Sequence, residues 1–311
     1  QAKYLAKMSH FWRTMFLTVG ILIAVFGMRL IFPFAVVSIA GGVTPVEAWT
    51  LAMEKGDPST PGTYGYILGE AHYSIAAFGG MFLLMLFLNF VFDHERDEAW
   101  LEPIERPLQK AGQVNSMPAL VSLLALLACT QFLATESHRF EVLLAGAFGI
   151  VTYLLVDGLA AYMEQKQEEA EERLATVAAG QTALLTGKAA FSMFMFLEVL
   201  DASFSFDGVL GAFALTSDPI IIAIGLGVGA LFVRSMTIYL VDEGALSEFR
   251  FMEHGAHWAI GLLATLLLLT IRVDIPDWLI GLGGLALISV SIWASIRANK
   301  RDAAEDAAEG A

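Results

Sequence analysis

The chain has 311 residues, of which 57% are hydrophobic and 16% charged, and its mean hydropathy is +0.64. These values exclude an ordinary soluble globular protein and indicate an integral membrane protein. The net charge of −14 comes largely from three runs, 96–106, 164–173 and 301–310. We interpret these runs as solvated surfaces, which argue against nucleic acid or anionic lipid as partners. A single cysteine, Cys129, excludes a disulfide within the chain.

Apolar runs long enough to cross a bilayer as helices define the predicted elements, since a crossing needs about 20 helical residues. They are too uniformly apolar for the alternating strands of a membrane barrel, so we predict an all-α polytopic bundle. In chain order, the eight predicted spans lie near 14–40, 75–92, 117–134, 141–163, 189–216, 219–241, 256–271 and 277–296.

The distribution of lysine and arginine predicts the orientation of these spans. With a cytoplasmic N-terminus, thirteen basic residues lie inside, whereas only Lys55, Arg139 and Arg272 lie outside. Positively charged loops remain in the cytoplasm, so both ends of this chain are predicted to be cytoplasmic in a multi-pass inner (plasma) membrane protein. The remaining two, Arg29 and Arg234, fall within spans.

Two parts of the chain resemble each other. Gly20 precedes Arg29 by nine residues in the first span, and Gly225 precedes Arg234 by nine in the sixth. The following spans open alike, with EAHYSIAAFGG at 70–80 and GAHWAIGLLAT at 255–265. Since the first span leads outwards and the sixth inwards, the two units are predicted to be inverted repeats, an arrangement typical of secondary transporters.

The acidic fifth span has no counterpart in the first repeat. Asp207 precedes Arg234 by 27 residues, whereas the same distance before Arg29 reaches residue 2. We therefore expect a further acidic helix upstream of Gln1, in a protein of at least nine spans. The predicted organisation is a single membrane domain with a first repeat at 1–92, an inserted helix pair at 117–163, a charged cytoplasmic linker at 164–188, a second repeat at 189–271, a last span at 277–296 and an acidic tail at 297–311.

The fifth span carries carboxylates where charge is costly, about 2.5–3.5 kcal/mol each at the bilayer centre. Glu198, Asp201 and Ser205 share one helix face. Asp207 lies on the opposite face of a regular helix, but Gly208 and the neighbouring serines would permit a break that brings it towards the others. Such a break would also expose backbone carbonyl oxygens.

Oxygen ligands without thiolates favour a hard divalent cation such as manganese, magnesium or calcium. Nitrogen donors near the spans are His72, His254 and His257. The last two, three residues apart, could form a relay on the cytoplasmic side, although each histidine is also compatible with a structural role. Arg29 and Arg234 are interpreted as balancing the carboxylates when no cation is bound, with contact to an anionic substrate as the alternative.

The stretch LDASFSFDGVLGAF, followed by the arginine span, resembles the TerC/Alx-like integral membrane proteins. Their repeated motif is Glu-Val-x-Leu-Ser-x-Asp-Asn, so the resemblance aligns Asp201 with the Glu, Ser205 with the Ser, Asp207 with the Asp and Gly208 with the Asn. The resemblance implies inverted repeats related to the LysE superfamily of exporters, manganese(II) export and a link to tellurite resistance.

The leading hypothesis is therefore a secondary transporter rather than an enzyme. Its metal site would comprise Glu198, Asp201, Ser205 and Asp207, the cation would be a substrate, and no cofactor is expected to bind tightly. The partners would be the metal ion and the lipid bilayer, with a homodimer allowed. The alternatives are a membrane scaffold of a stress-response complex and an intramembrane aspartyl protease that uses Asp157 and Asp207.

Overall fold

The computed structural model is helical and contains no β-strand among the residues that it describes. This confirms the all-α prediction. The described residues are 8–20, 22–23, 27, 31, 38, 42–54, 56–57, 59–96, 98–114, 116–177, 190–191, 193–195, 197–198, 219–242 and 249–309.

Ten α-helices are defined within these residues, and two of them continue as π-helical turns, Phe16–Gly20 after α1 and Cys129–Leu133 after α6. In chain order the helices are α1 His10–Met15, α2 Pro45–Met53, α3 Tyr64–Glu70, α4 His72–Val91, α5 Glu102–Ala111, α6 Met117–Ala128, α7 Arg139–Val177, α8 Pro219–Asp242, α9 Met252–Leu269 and α10 Asp277–Glu309.

Four segments of the described helices are long and apolar enough to cross a membrane, which indicates a membrane protein. Two shorter apolar segments, Met117–Leu133 and Ala223–Val233, lie within the predicted third and sixth spans. The count of eight spans remains a prediction, as do the inverted repeats. The four long segments are His72–Val91, Arg139–Gly158, Met252–Leu269 and Gly281–Arg301.

Three helices extend beyond the predicted spans. Helix α9 begins at Met252, four residues before the predicted span, and so includes both histidines of the predicted relay. Helix α7 continues through Val177, so the first half of the predicted linker extends the preceding helix. Helix α10 continues to Glu309 through most of the predicted acidic tail. Because glutamate and alanine have high helix propensity, these polar segments prolong helices that begin in apolar sequence.

The chain divides into two compact units. The first comprises Gln1–Ala71 and Leu154–Glu243, and the second comprises His72–Tyr153 and Gly244–Ala311. In the first unit, Met8 and Phe16 pack with Met193, Phe194 and Leu197 in a buried apolar cluster.

The second unit is organised around an antiparallel pair formed by α4 and α9. Gly80 lies against Leu268, whereas Gly261, nearer the start of α9, lies against the Phe87 ring, nearer the end of α4. A Cβ added to either glycine would lie within 2.7 Å of these side chains, so the small residues allow the close approach. Of the four span candidates, α4 is the most enclosed, with 67% of its apolar window buried.

The ends of α4 and α5 also meet closely within this unit. A Cβ on Gly112, directly after α5, would overlap with the backbone carbonyl of Phe92, directly after α4. Leu108 and Ala111 of α5 pack against the buried cluster that contains Leu88 and Phe90. Helix α5 is therefore held at the end of α4.

Candidate functional site

The predicted metal site lies mostly outside the described residues. Among its four members only Glu198 is described, and it is 4% exposed. Asp201, Ser205, Asp207 and the charge-balancing Arg29 lie outside the described residues, and Arg234 belongs to α8 with its side chain undescribed. The metal site therefore stays a prediction. Within the described part of the chain, no group of three or more His, Cys, Asp or Glu side chains could hold a metal ion.

Glu198 nevertheless lies where its charge is costly. The preceding Leu197 is fully buried, and Phe194, one helical turn earlier on the same face, is 3% exposed. Phe194 packs beside Trp12, with ring centroids 6.0 Å apart. A carboxylate in these surroundings has left bulk water, and the environment must compensate this loss.

The best-defined polar cluster of the described residues is centred on Glu105, in the second unit. Glu105 is 1% exposed and His254 is 2% exposed. The Nδ1 atom of His254 lies 2.9 Å from Oε2 of Glu105. Trp258 donates from Nε1 to Oε1 over 2.7 Å, and the Trp100 amide donates to Oε2 over 2.9 Å. Both carboxylate oxygens are therefore satisfied without water, as a buried carboxylate requires.

Helical periodicity explains why one carboxylate can receive both α9 side chains. His254 and Trp258 are four residues apart and lie one above the other on the same face of α9. Glu105 approaches that face from the first turns of α5. The carboxylate thus connects a short polar helix to a long apolar one.

The hydrogen-bond donors around Glu105 also stabilise its charged form. Burial raises the pKa of the carboxyl, but the hydrogen bonds from His254 and Trp258, together with that from the Trp100 amide, outweigh burial and lower the pKa to about 2. Glu105 is therefore a carboxylate at neutral pH. This stabilisation requires all three donors to stay in place.

Arg96 also contacts the His254 ring, with Nη2 3.3 Å from Nδ1 and closer still to Nε2. Its Nη2 lies 2.8 Å from Nε2 of His254, and its Nη1 donates to the Phe90 carbonyl over 3.1 Å. Because a guanidinium offers only donors, Nε2 accepts from Arg96 and Nδ1–H donates to Glu105. Burial lowers the pKa of Arg96, while the charges of Glu253 and Glu105 act in the opposite direction.

Phe90 lies between Arg96 and the second histidine of the predicted relay. The Arg96 Cζ lies 3.4 Å from the Phe90 ring centroid, and the His257 ring stacks at 3.6 Å with an interplanar angle of 3°. Two groups so close to one centroid must occupy opposite faces of the ring, so Phe90 is sandwiched between them. The structure thus brings His254 and His257 to the same phenylalanine, while relay activity itself stays a prediction.

His72 is not part of this cluster, and Asp157 belongs to the first unit. Nε2 of His72, an exposed residue, is 3.4 Å from the Thr270 carbonyl, and its ring meets Tyr73 edge-on. Asp157 is an exposed residue of α7, and its proposed protease partner Asp207 lies outside the described residues. The structure therefore leaves the dyad as a prediction.

The interpretation of segment 96–106 as a solvated run is wrong for Glu105, because that side chain is almost completely buried. Sequence reasoning also missed Trp258 as its partner. The sequence did contain a weak indication of burial, because a tryptophan and two prolines, Trp100, Pro103 and Pro107, are uncommon in a fully solvated charged run. The high density of charged residues outweighed that indication in the prediction.

Chemically, the Glu105 cluster stabilises structure rather than offering open ligand positions. Each carboxylate oxygen accepts at least one hydrogen bond, and both ring nitrogens of His254 are engaged. The cluster fixes α5, Arg96 and Trp100 against α9.

Comparison with known families gives one match. The model of a family described as a protein of unknown function (DUF475) matches residues 1–302. No curated protein and no solved structure matches the chain.

Proposed function

We propose that this chain, which belongs to the DUF475 family of proteins of unknown function, is a secondary transporter of a divalent metal cation, with manganese(II) exported from the cytoplasm as the substrate. The observation that carries the proposal is the burial of Glu198, 4% exposed next to fully buried Leu197. An ionisable side chain buried in an apolar segment is typical of a functional site on an ion pathway in a membrane protein.

Glu198, Asp201, Ser205 and Asp207 supply half of an oxygen-rich site. This donor set suits a hard divalent ion, because it offers charged and neutral oxygens and no thiolate. Arg29 and Arg234 balance the negative charge when the site is empty. The cation is the cargo, and proton exchange on the carboxylates couples its movement to an ion gradient.

The packing of α4 against α9 supports the inverted repeats that this mechanism needs. The two helices are antiparallel and approach closely at Gly80, where an added Cβ would lie 3.5 Å from the Ala264 carbonyl oxygen. The repeat alignment pairs Gly80 with Thr265, one residue from that contact. Equivalent parts of two inverted units are expected to meet in this way around a two-fold axis in the membrane plane. Movement of one repeat against the other gives alternating access.

The test is manganese flux through the purified full chain in proteoliposomes that contain a manganese-quenched dye. Glu198→Gln removes the negative charge at nearly constant volume, and we expect the flux to fall at least about ten-fold, as for loss of a group that supports a metal site. Glu54→Gln is the matched control, because Glu54 is exposed at the end of α2 and should leave the flux unchanged. Equal flux in the Glu198→Gln and unsubstituted proteins would reject the proposal.

A further inference from the structure

Helix α5 buries polar side chains beside the apolar Leu108 and Ala111. Glu105, Gln109 and Gly112, spaced four and three residues apart, lie on one face and are buried. Glu105 binds α9, and the Gln109 side chain donates to the Glu98 carbonyl over 3.4 Å.

The outward face of α5 combines apolar and basic side chains. Its exposed residues are Pro103, Ile104, Arg106, Pro107 and Lys110. Ile104 is 49% exposed, and Val114 beyond the helix end is 56% exposed. The exposed Glu102 lies three residues before Glu105 and four before Arg106, so it lies at the edge of the outward face, beside Arg106.

The neighbouring helices set the position of this face relative to the bilayer. Ten residues connect α5 to the end of α4 at Val91, and five connect it to the start of apolar helix α6 at Met117. The backbone contact between Gly112 and Phe92 holds the end of α5 beside the end of α4. Because α4 is long and apolar enough to cross a bilayer, we expect α5, at its end, to lie at the depth of the lipid headgroups.

We propose that the outward face of α5 lies on the bilayer surface and binds anionic lipid headgroups. Apolar side chains flanked by Arg and Lys are the composition of helices that lie in this interface. Within the described residues, Arg106 and Lys110 form no ion pair that would consume their charge.

The net charge of −14 led to the opposite expectation, but it does not describe this face. Charges act over about 8 Å at physiological ionic strength, so local groups dominate. Nearby Glu98 forms an ion pair with Arg250 over 2.9 Å, and Glu105 is turned inwards beside His254. On the outward face of α5 itself, the two cationic side chains Arg106 and Lys110 outnumber the one flanking carboxylate, Glu102, although the whole chain is acidic.

The experiment places a single fluorescent label on either side of α5 in the full chain. In a Cys129→Ala background, Ile104→Cys reports the outward face and Glu102→Cys is the matched control on the same helix. Liposomes of phosphatidylcholine, with or without phosphatidylglycerol, carry a trace of headgroup nitroxide lipid as quencher. We expect stronger quenching at 104 than at 102, and an increase at 104 when phosphatidylglycerol is added.

Charge removal then tests the lipid preference. Arg106→Gln combined with Lys110→Gln should reduce the phosphatidylglycerol-dependent increase at least about five-fold, because each basic group near an anionic surface contributes about 1 kcal/mol. Arg106→Lys, which retains the charge, should keep the increase. Variants are compared only where they elute as the unsubstituted protein does on size exclusion.

Three results would overturn the proposal. Equal quenching at 104 and 102 would mean that the face does not contact lipid. If phosphatidylglycerol increased quenching in the double variant as much as in the unsubstituted background, Arg106 and Lys110 would not contribute to binding of anionic headgroups. A disulfide between the 104 cysteines of two chains, with no lipid quenching, would assign the face to a second copy of the protein.

Discussion

Helices α4 and α5 of the second unit bury opposite kinds of side chain. The buried side chains of α4 include Met81, Leu83 and Met85, whereas those of α5 include Glu105 and Gln109. The apolar groups of α4 need only close packing, but each polar group of α5 needs a specific partner. Burial in this unit therefore depends on the available hydrogen-bond partner as well as on hydropathy. The buried polar groups of α5 are stable in the interior only while their hydrogen bonds persist.

The largest expected effect comes from removing the carboxylate that holds α5. Glu105→Ala leaves His254 and Trp258 without their acceptor in a buried site, and we expect a loss of about 3–5 kcal/mol in the free energy of unfolding. Glu102→Ala, on the same helix but exposed, should stay within about 0.5 kcal/mol. Denaturant titration in detergent measures both. A similar stability of the two variants would contradict the partner-dependent burial of α5.

Acidification should remove part of the same stabilisation. The pKa of Glu105 is about 2 in the folded protein, below its ordinary value of 4.5. The carboxylate therefore stabilises the fold fully above pH 4.5, and this contribution is lost as the pH falls from about 4.5 to about 2. Glu105→Gln has no such titration, so its unfolding midpoint should fall less over this interval than that of the unsubstituted protein. Parallel pH profiles would show that the Glu105 hydrogen bonds do not favour its charged form.

The smallest expected effect concerns the outward side of α5. Ile104→Ala should change the unfolding free energy in detergent by no more than about 0.5 kcal/mol, because that side chain is half exposed. Leu83→Ala on α4 provides the contrast, since Leu83 is 2% exposed and should cost about 2–5 kcal/mol. A comparable loss at both positions would mean that Ile104 belongs to the packed interior.

The apolar helices could be predicted from sequence because hydropathy and length are local properties. The spans near 75–92 and 256–271 correspond to α4 and α9, although α9 starts earlier, with Glu253 and His254 already helical. The burial of Glu105 could not be predicted in this way, because His254 lies 149 residues away in sequence. From local sequence alone a charged residue is predicted to be solvated, because the partner that allows its burial is distant in the chain.

The contact between Gly112 and Phe92 has a further consequence for chain design. Twenty positions separate these two residues along the chain, yet the backbone returns to almost the same point. The segment between them makes the connection from α4 to α6 longer but does not increase the distance that the connection spans. A tight turn would be long enough to join those helices. The longer segment instead positions the anchored carboxylate of Glu105 on one side of α5 and the two cationic side chains Arg106 and Lys110 on the other.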